Sequence, residues 1–257
     1  MALSFRQTEI LEIARSEGRV VVEELAHRFE VTLQTIRRDL TELADAGHLE
    51  RVHGGAMPRR GVTNLGYDQR RRMNDQAKTA IAKTCAQAIP GNCSIILTLG
   101  TTTEAVAHEL LHHSNITVVT NNMNVANILT ANPGCEIMVA GGALRRSDGG
   151  LVGELTTQFF EQFKVDFAVI GTSALDRDGD LLDFDLAEVR VSKAIIRQAR
   201  TTFLVCDQSK LSRSAPARLA SLSEIDAMFT DAALPPDLAR KCVDWGTSVH
   251  VAGSAIA

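Results

Sequence analysis

Gln34, Thr35 and Arg38 bring an amide, a hydroxyl and a guanidinium to one side of a segment whose apolar residues repeat at helical spacing. At about 100° per residue these three share a face with Thr41, and Arg37 lies on its flank. Leu33, Ile36, Leu40 and Leu43 fall on the opposite, apolar stripe. A helix divided in this way can lay its polar face in a major groove, where amide and guanidinium groups pair with base edges. Thr32 is placed to cap the helix with its hydroxyl. Arg37, Arg51 and His53 supply cationic or polar groups for phosphates. The candidate nucleic-acid contacts are therefore Thr32, Gln34, Thr35, Arg37, Arg38, Arg51 and His53. A plainer reading makes Arg37, Arg38 and Asp39 an exposed ion-pair face. The elements around the segment decide between the two.

A second chemistry is written at the ends of several apolar runs further along. Gly100-Thr101-Thr102-Thr103 opens a helical pattern, and backbone N–H groups and hydroxyls at such a start suit a phosphate. Asn121-Asn122, Gly141-Gly142 with Arg145, Gly171-Thr172-Ser173, and Asp207 with Lys210 follow four other runs. Singly, each has a plainer meaning: a turn with its cap, a solvated loop arginine, a surface lysine. Together they could converge on one small, anionic, hydroxylated ligand.

These side chains need two different frameworks to position them. Residues 4–17 and 22–29 have helical spacing, and Gly18 is suited to end the first. Residues 30–32 make a turn of the right length before the polar-faced helix, which stops near Gly47. Residues 49–53 read as a strand turning at Gly54-Gly55, the wing of a winged helix-turn-helix. The polar, Arg-rich stretch that follows reads as a linker, turning helical towards Arg70-Arg71-Arg72 and running on into a helix over 76–88. From residue 94 short apolar runs at 95–99, 116–120, 136–140, 167–170, 202–206, 227–230 and 248–251 alternate with helical segments such as 102–111 and 186–199. Such alternation implies a largely parallel sheet covered on both faces, with ligands beyond the carboxyl ends of its strands. The expected domains are a winged helix-turn-helix at 1–57, a linker at 58–75 and an α/β domain at 76–257.

Of 257 residues, 45% are hydrophobic, enough for two cores, and the net charge is −4. That total argues against nucleic acid only until its distribution is read. Residues 51–72 hold six arginines against one aspartate, and attraction to DNA depends on the local face. The five cysteines form no C-x-x-C pair, so the chain shows neither a zinc site nor a disulfide framework, and no cofactor is called for. His27, His48 and His53 lack ligand spacing, and Phe159, Phe160, Phe163 and Phe167 read as core. With no signal segment or membrane-length apolar run, a reducing, cytoplasmic setting is expected.

Residues 31–40, the wing segment Leu49-Glu50-Arg51-Val52-His53-Gly54-Gly55-Ala56 and residues 76–251 together resemble the DeoR family of bacterial repressors over essentially the whole chain. Residues 100–108, 120–127, 140–150 and 181–185 carry the likeness through the second domain. The resemblance implies a repressor of double-stranded operator DNA that is released by sn-glycerol 3-phosphate. It also implies a homotetramer, a dimer of dimers, on palindromic sites. The sensor domain is in addition similar to ribose-5-phosphate isomerases, with Glu188 and the run from Asp207 to Lys210 resembling isomerase site residues. Paired aspartates expected after the fourth strand are replaced by Gly171-Thr172-Ser173-Ala174. Proton transfer between neighbouring carbons needs a positioned base, so Asp183, Asp185 and Glu188 read as partners for ligand hydroxyls. The candidate effector set is Gly100, Thr101, Thr102, Thr103, Asn121, Asn122, Gly141, Gly142, Arg145, Ser173, Asp183, Glu188 and Lys210. Two alternatives stay open: another sugar phosphate as effector, and an isomerase-like enzyme carrying a DNA-binding head.

Overall fold

A computed structural model describes residues 3–17, 19–46, 48–52, 54–58 and 65–253. Gly18, Gly47, His53, Arg59 and Arg60 lie outside the described residues. The chain divides into two compact units, Met1–Val62 and Thr63–Ala257.

In the first unit, helices α1 (Phe5–Glu17), α2 (Val22–Arg28) and α3 (Leu33–Asp45) pack beside a three-stranded antiparallel sheet. The sheet pairs β1 (Val20–Val21) with β3 (Gly55–Pro58), and β3 with β2 (Leu49–Val52). The β2–β3 hairpin is the expected wing. The two-residue β1 has too short a pattern to be read from sequence. Gly55 is required where it stands, because a Cβ there would meet the Val20 carbonyl oxygen at 1.9 Å.

Ile10, Leu25, Ile36, Leu40, Leu43 and Leu49 form the core of this unit. Leu33 departs from the expected apolar stripe and is 41% exposed. It occupies the first turn of α3, ahead of the section that meets the core. Asp39 takes a buried place instead, 6% exposed, with the Arg6 Nε donating to its carboxylate at 2.6 Å. A buried charge is tolerable when it is paired and hydrogen-bonded.

Thr32 caps α3 as expected, its hydroxyl accepting from the Thr35 N–H at 3.2 Å. Thr32→Ala should cost the unit about 1 kcal/mol. The measurement is hydrogen exchange of the α3 amides, and unchanged protection would show that the cap contributes nothing.

The second unit opens with α4 (Tyr67–Arg72) and α5 (Asp75–Gln87). The predicted continuous helix is broken at Met73-Asn74, where Asn74 has φ +55. The alternating pieces that follow are β4 (Ser94–Leu97), α6 (Thr101–Glu109), β5 (Ile116–Thr120), α7 (Met123–Leu129) and β6 (Cys135–Val139). A hairpin, β7 (Ala143–Arg145) with β8 (Gly150–Val152), leads to α8 (Glu154–Phe160) and β9 (Val165–Ile170). Next come β10 (Ala174–Leu175), β11 (Asp180–Asp183), α9 (Leu186–Gln198) and β12 (Ala199–Val205). The unit closes with β13 (Ala217–Ser221), β14 (Ala227–Thr230), α10 (Pro236–Trp245) and β15 (Ser248–Val251).

Seven strands form one parallel sheet in the order β15-β14-β12-β9-β4-β5-β6. Alternate residues serve opposite layers. Ile96, Ala168, Leu204 and Met228 enter one apolar layer, while Ile95, Leu97, Val169 and Val205 enter the other. Burial on both faces explains why these strands read as unbroken apolar runs. The chain leaves β4 to build β5 on one side and returns with β9 on the other, so strand order reverses at β4. Ligands in open α/β sheets bind at such a reversal, outside the carboxyl ends of the strands. The strands β10, β11 and β13 make a separate antiparallel sheet that places Asp183 near this edge. Among the described residues no helix is long and apolar enough to cross a membrane.

Candidate functional site

In the first unit, the polar face of α3 is open. Gln34, Arg37 and Arg38 are exposed, Thr35 partly so, and Arg51 is exposed on the wing strand. Arg38 Nε donates to Glu42 at 3.0 Å, and the Gln7 amide donates to the same carboxylate at 2.7 Å. These hydrogen bonds, Arg38 first, hold the Glu42 carboxyl below its ordinary pKa. Arg51 reaches back to the Arg37 carbonyl at 3.4 Å, tying the wing to the helix. Six of the seven predicted nucleic-acid contacts thus sit on one helix, at its cap or on the adjoining strand; His53 lies outside the described residues.

In the second unit, two adjoining cavities occupy the reversal point of the sheet. The inner one is lined by Gly100 to Thr103, Gly171 to Ser173 and Lys210. The outer one is lined by Tyr67, Arg145, Asp148 and Asp185. Arg70, Ser173, Asp183 and Glu188 line both.

Gly100 makes the inner wall possible. It takes φ +139, and a Cβ there would press on the Thr103 hydroxyl at 3.3 Å. Among the described residues no side chain caps α6, and its first turn lines the cavity, the arrangement that suits an anion. The Thr103 hydroxyl is turned inward, its one proton shared between the carbonyls of Thr98 and Gly100. Lys210 enters the same cavity with no hydrogen bond or ion pair to its ammonium among the described residues. Burial, with Arg213 adding repulsion, pushes its pKa down to about 8 against some attraction from Asp207.

The opposite wall is acidic. Asp183 accepts from the Ser173 hydroxyl at 3.1 Å and from the Phe184 N–H at 2.6 Å. Burial, then the charge of Asp183, raises the Glu188 carboxyl to about 7 in spite of Arg145. Arg145 donates to Asp148 at 2.9 and 2.6 Å, to Asp185 at 2.7 Å and to Glu188 at 2.8 Å. It faces the site, as expected, but its donors hold carboxylates in position.

Four predicted residues are not on the cavity wall. Asn121 is buried and donates to the Leu151 carbonyl at 3.0 Å. Asn122 caps α7 and donates to Glu104 at 3.2 Å. They support the floor from below, because the side chains after β5 turn into the unit rather than out of it. Gly141 and Gly142 form an exposed turn; a Cβ on Gly142 would meet the Thr156 hydroxyl at 2.3 Å. That contact explains the glycine by packing, without a ligand.

Among the wall residues not foreseen from sequence are Tyr67 and Arg70, both on α4. The Tyr67 hydroxyl donates to Glu104 at 2.8 Å and accepts from Asn124 at 3.0 Å. Burial and then Glu104 raise its pKa. Lys78 donates to the carbonyls of Arg70 and Arg71 at the end of α4, and Asn74 donates to Asp207 at 3.0 Å. Held in this way, α4 belongs to the second unit. Arg70 has a buried Nε without a hydrogen-bond partner among the described residues and a guanidinium nitrogen 3.9 Å from Asp148. The available signal was the chain's one tyrosine three residues before Arg70, too little to show a face.

Comparison with known proteins agrees with this division of labour. Residues 6–58 match the DeoR-like helix-turn-helix domain, and residues 73–232 match the DeoR C terminal sensor domain. The Glycerol-3-phosphate regulon repressor of Escherichia coli K12 is 44% identical over 93% of this chain and 95% of its own length. That of Haemophilus influenzae is 43% identical over 90% of each chain. The HTH-type transcriptional repressor CsqR of Escherichia coli K12 is 37% identical over 90% of this chain and 88% of its own. Among solved structures, ribose 5-phosphate isomerase A of Neisseria gonorrhoeae aligns over 58% of this chain and 56% of its own, with TM-score 0.39 and 14% identity. That likeness is too loose to bear on activity. Matched along both units, the chain belongs to the DeoR family and is a DNA-binding transcriptional repressor, not an enzyme.

Proposed function

We propose that this repressor controls genes of glycerol and glycerol 3-phosphate metabolism in the cytoplasm and leaves its operators when sn-glycerol 3-phosphate binds. The observation that carries the effector site is one cavity with a free α6 N-terminus and an unpaired Lys210 at one end, and Ser173, Asp183 and Glu188 at the other. Phosphate sits at the first end and the glycerol hydroxyls meet the second. The near-full-length relatives named as glycerol-3-phosphate regulon repressors support the choice of effector. On the operator, Gln34, Thr35 and Arg38 read bases, while Arg37, Arg51 and His53 contact phosphates and Thr32 sets the helix start. Two-fold pairs of recognition helices suit palindromic half-sites one helical turn apart, and a homotetramer joins two such pairs. The effector must favour the DNA-incompetent arrangement to shift anything. Helix α4 follows the DNA-binding unit in sequence and lines the effector cavity, which makes it the coupling element.

The test is binding of the full chain to a DNA fragment upstream of glycerol-uptake genes, titrated with sn-glycerol 3-phosphate at fixed salt, since phosphate contacts make affinity fall steeply with salt. Release by this ligand, and not by glycerol or inorganic phosphate, is expected. Binding that ignores it would overturn the effector assignment. Because the outer cavity continues beyond Glu188, a panel of longer sugar phosphates belongs in the same titration.

Thr102→Val isolates the phosphate end. It removes one hydroxyl from the α6 start, and should raise the effector concentration for half-release roughly three- to tenfold, a neutral hydrogen bond being worth about 0.5–1.5 kcal/mol. Operator affinity should not change. A normal effector response would show that the phosphate sits elsewhere.

A further inference from the structure

We propose that this cavity selects a monophosphate whose tail is uncharged and hydroxylated, and that its far end turns away any second anionic group. The inference rests on the reading that phosphate occupies the α6 end, and it names what the other end will tolerate.

The two ends differ in charge. The near end offers the N–H groups of α6 and the unpaired ammonium of Lys210. Among the described residues, the far end gathers Asp148, Asp183, Asp185 and Glu188 against two guanidiniums, those of Arg70 and Arg145. Arg145 is spent: four hydrogen bonds commit it to Asp148, Asp185 and Glu188, so a ligand anion would have to displace a carboxylate to reach it. Asp183 is buried, and its carboxylate is held by the Ser173 hydroxyl and backbone N–H groups, with no cation paired to it among the described residues. A hydroxyl arriving there donates to a carboxylate and is welcome. A carboxylate or second phosphate arriving there meets negative charge at short range. Burial and the neighbouring charge of Asp183 push the Glu188 carboxyl up, the direction expected where carboxylates crowd one wall. Arg70 lies 3.9 Å from Asp148 and lines both cavities, so its charge is shared between Asp148, the phosphate end and the tail.

The test uses calorimetric titration of the full chain with glycerol 3-phosphate and with 3-phosphoglycerate, both racemic at C2 so that handedness does not enter. The two differ only in CH2OH against a carboxylate. The carboxylate ligand should bind at least tenfold more weakly. In Asp185→Asn the ratio should narrow at least threefold, because the far end loses one negative charge and one Arg145 N–H is freed, while asparagine can still cap α9 in place of the carboxylate that now accepts from the Ala187 N–H. Equal or tighter binding of 3-phosphoglycerate by the wild-type chain overturns the inference and leaves the effector reading standing. A ratio that Asp185→Asn does not move overturns the assignment of selectivity to these carboxylates. If neither ligand binds, both the inference and the effector reading fall.

Discussion

Lys210→Met should leave a repressor that is more stable, holds its operator, and no longer hears its effector. The stability gain follows from the pKa. Lys210 stands at about 8 in the folded chain against an ordinary 10.5, with burial the main cause. A lysine whose folded pKa is lowered costs stability wherever its ammonium must stay charged. That cost is present in full below about pH 8, shrinks as pH rises towards 10.5, and is gone above it. At pH 7 it is on the order of 3 kcal/mol, and methionine, of similar length and without charge, removes it. The loss of response follows from the same ammonium. Among the described residues it has no partner; if it meets the phosphate as proposed, deleting it removes a buried charge-assisted contact worth about 2 kcal/mol or more, a thirtyfold or larger rise in the effector needed. In the wild-type chain the response should also fade above about pH 8, as Lys210 loses its proton. The measurement is thermal unfolding from pH 6 to 10 beside operator release at each pH. A variant that responds at wild-type effector concentrations would show that the phosphate does not meet Lys210.

Much of this site was legible because parallel strands announce themselves. Continuous apolar runs gave the seven strands of the sheet, and the small polar residues directly after β4, β9 and β12 then had to share one edge. Gly100, Ser173 and Lys210 were found by that argument alone. It failed after β5. A strand's end fixes where the chain emerges but not which way the next side chain turns, and Asn122 turned inward to cap α7. It failed again at Gly141-Gly142, where a glycine pair answers equally to a ligand and to the nearness of Thr156. Arg145 lines the cavity, but its engagement with carboxylates was not legible, since its three partners lie 3, 40 and 43 residues away. The largest omission was the place of α4 in the cavity wall, its helical turn at Arg70–Arg72 having been expected. Six residues make fewer than two turns, too few for a period to show a buried face, and the arginine count of the segment favoured reading it as a tether. What fixes α4 is a set of distant contacts, Tyr67 with Glu104 and Asn74 with Asp207, which only the folded unit brings together. Asp39 was missed for a similar reason: its partner Arg6 is on another helix.

Those contacts give α4 a particular standing. It ends on Lys78, which serves its last carbonyls, and it carries Arg70 into the cavity wall. A ligand that recruits Arg70 acts on the first helix after the DNA-binding unit, without having to deform the sheet. The sheet is the wrong place for a switch, since buried layers on both faces make it stiff; a six-residue helix held by a few polar contacts can rearrange at much lower cost.

Arg38→Ala should weaken operator binding by about 1–3 kcal/mol, roughly five- to a hundred-fold or more, and relax base preference at one position of each half-site. Its side chain is 80% exposed, so the folded unit loses almost nothing when it is cut back. Competition with Glu42 makes the prediction specific. In the free chain Arg38 lies along α3 against Glu42 at 3.0 Å, and Gln7 holds the same carboxylate at 2.7 Å. To reach a base, Arg38 must let go, and Gln7 remains to satisfy Glu42 when it does. Glu42→Gln should therefore tighten binding slightly while Arg38→Ala loosens it, and the two changes together should behave as Arg38→Ala alone. Salt dependence tells which group Arg38 meets. A base contact leaves the slope of affinity against salt unchanged on alanine substitution, whereas a phosphate contact lowers it by about one counterion. The expected result is an unchanged slope with a relaxed preference among single-base operator variants. A slope that falls, with all variants weakened alike, would move Arg38 to the backbone and leave Gln34 and Thr35 as the readers of sequence.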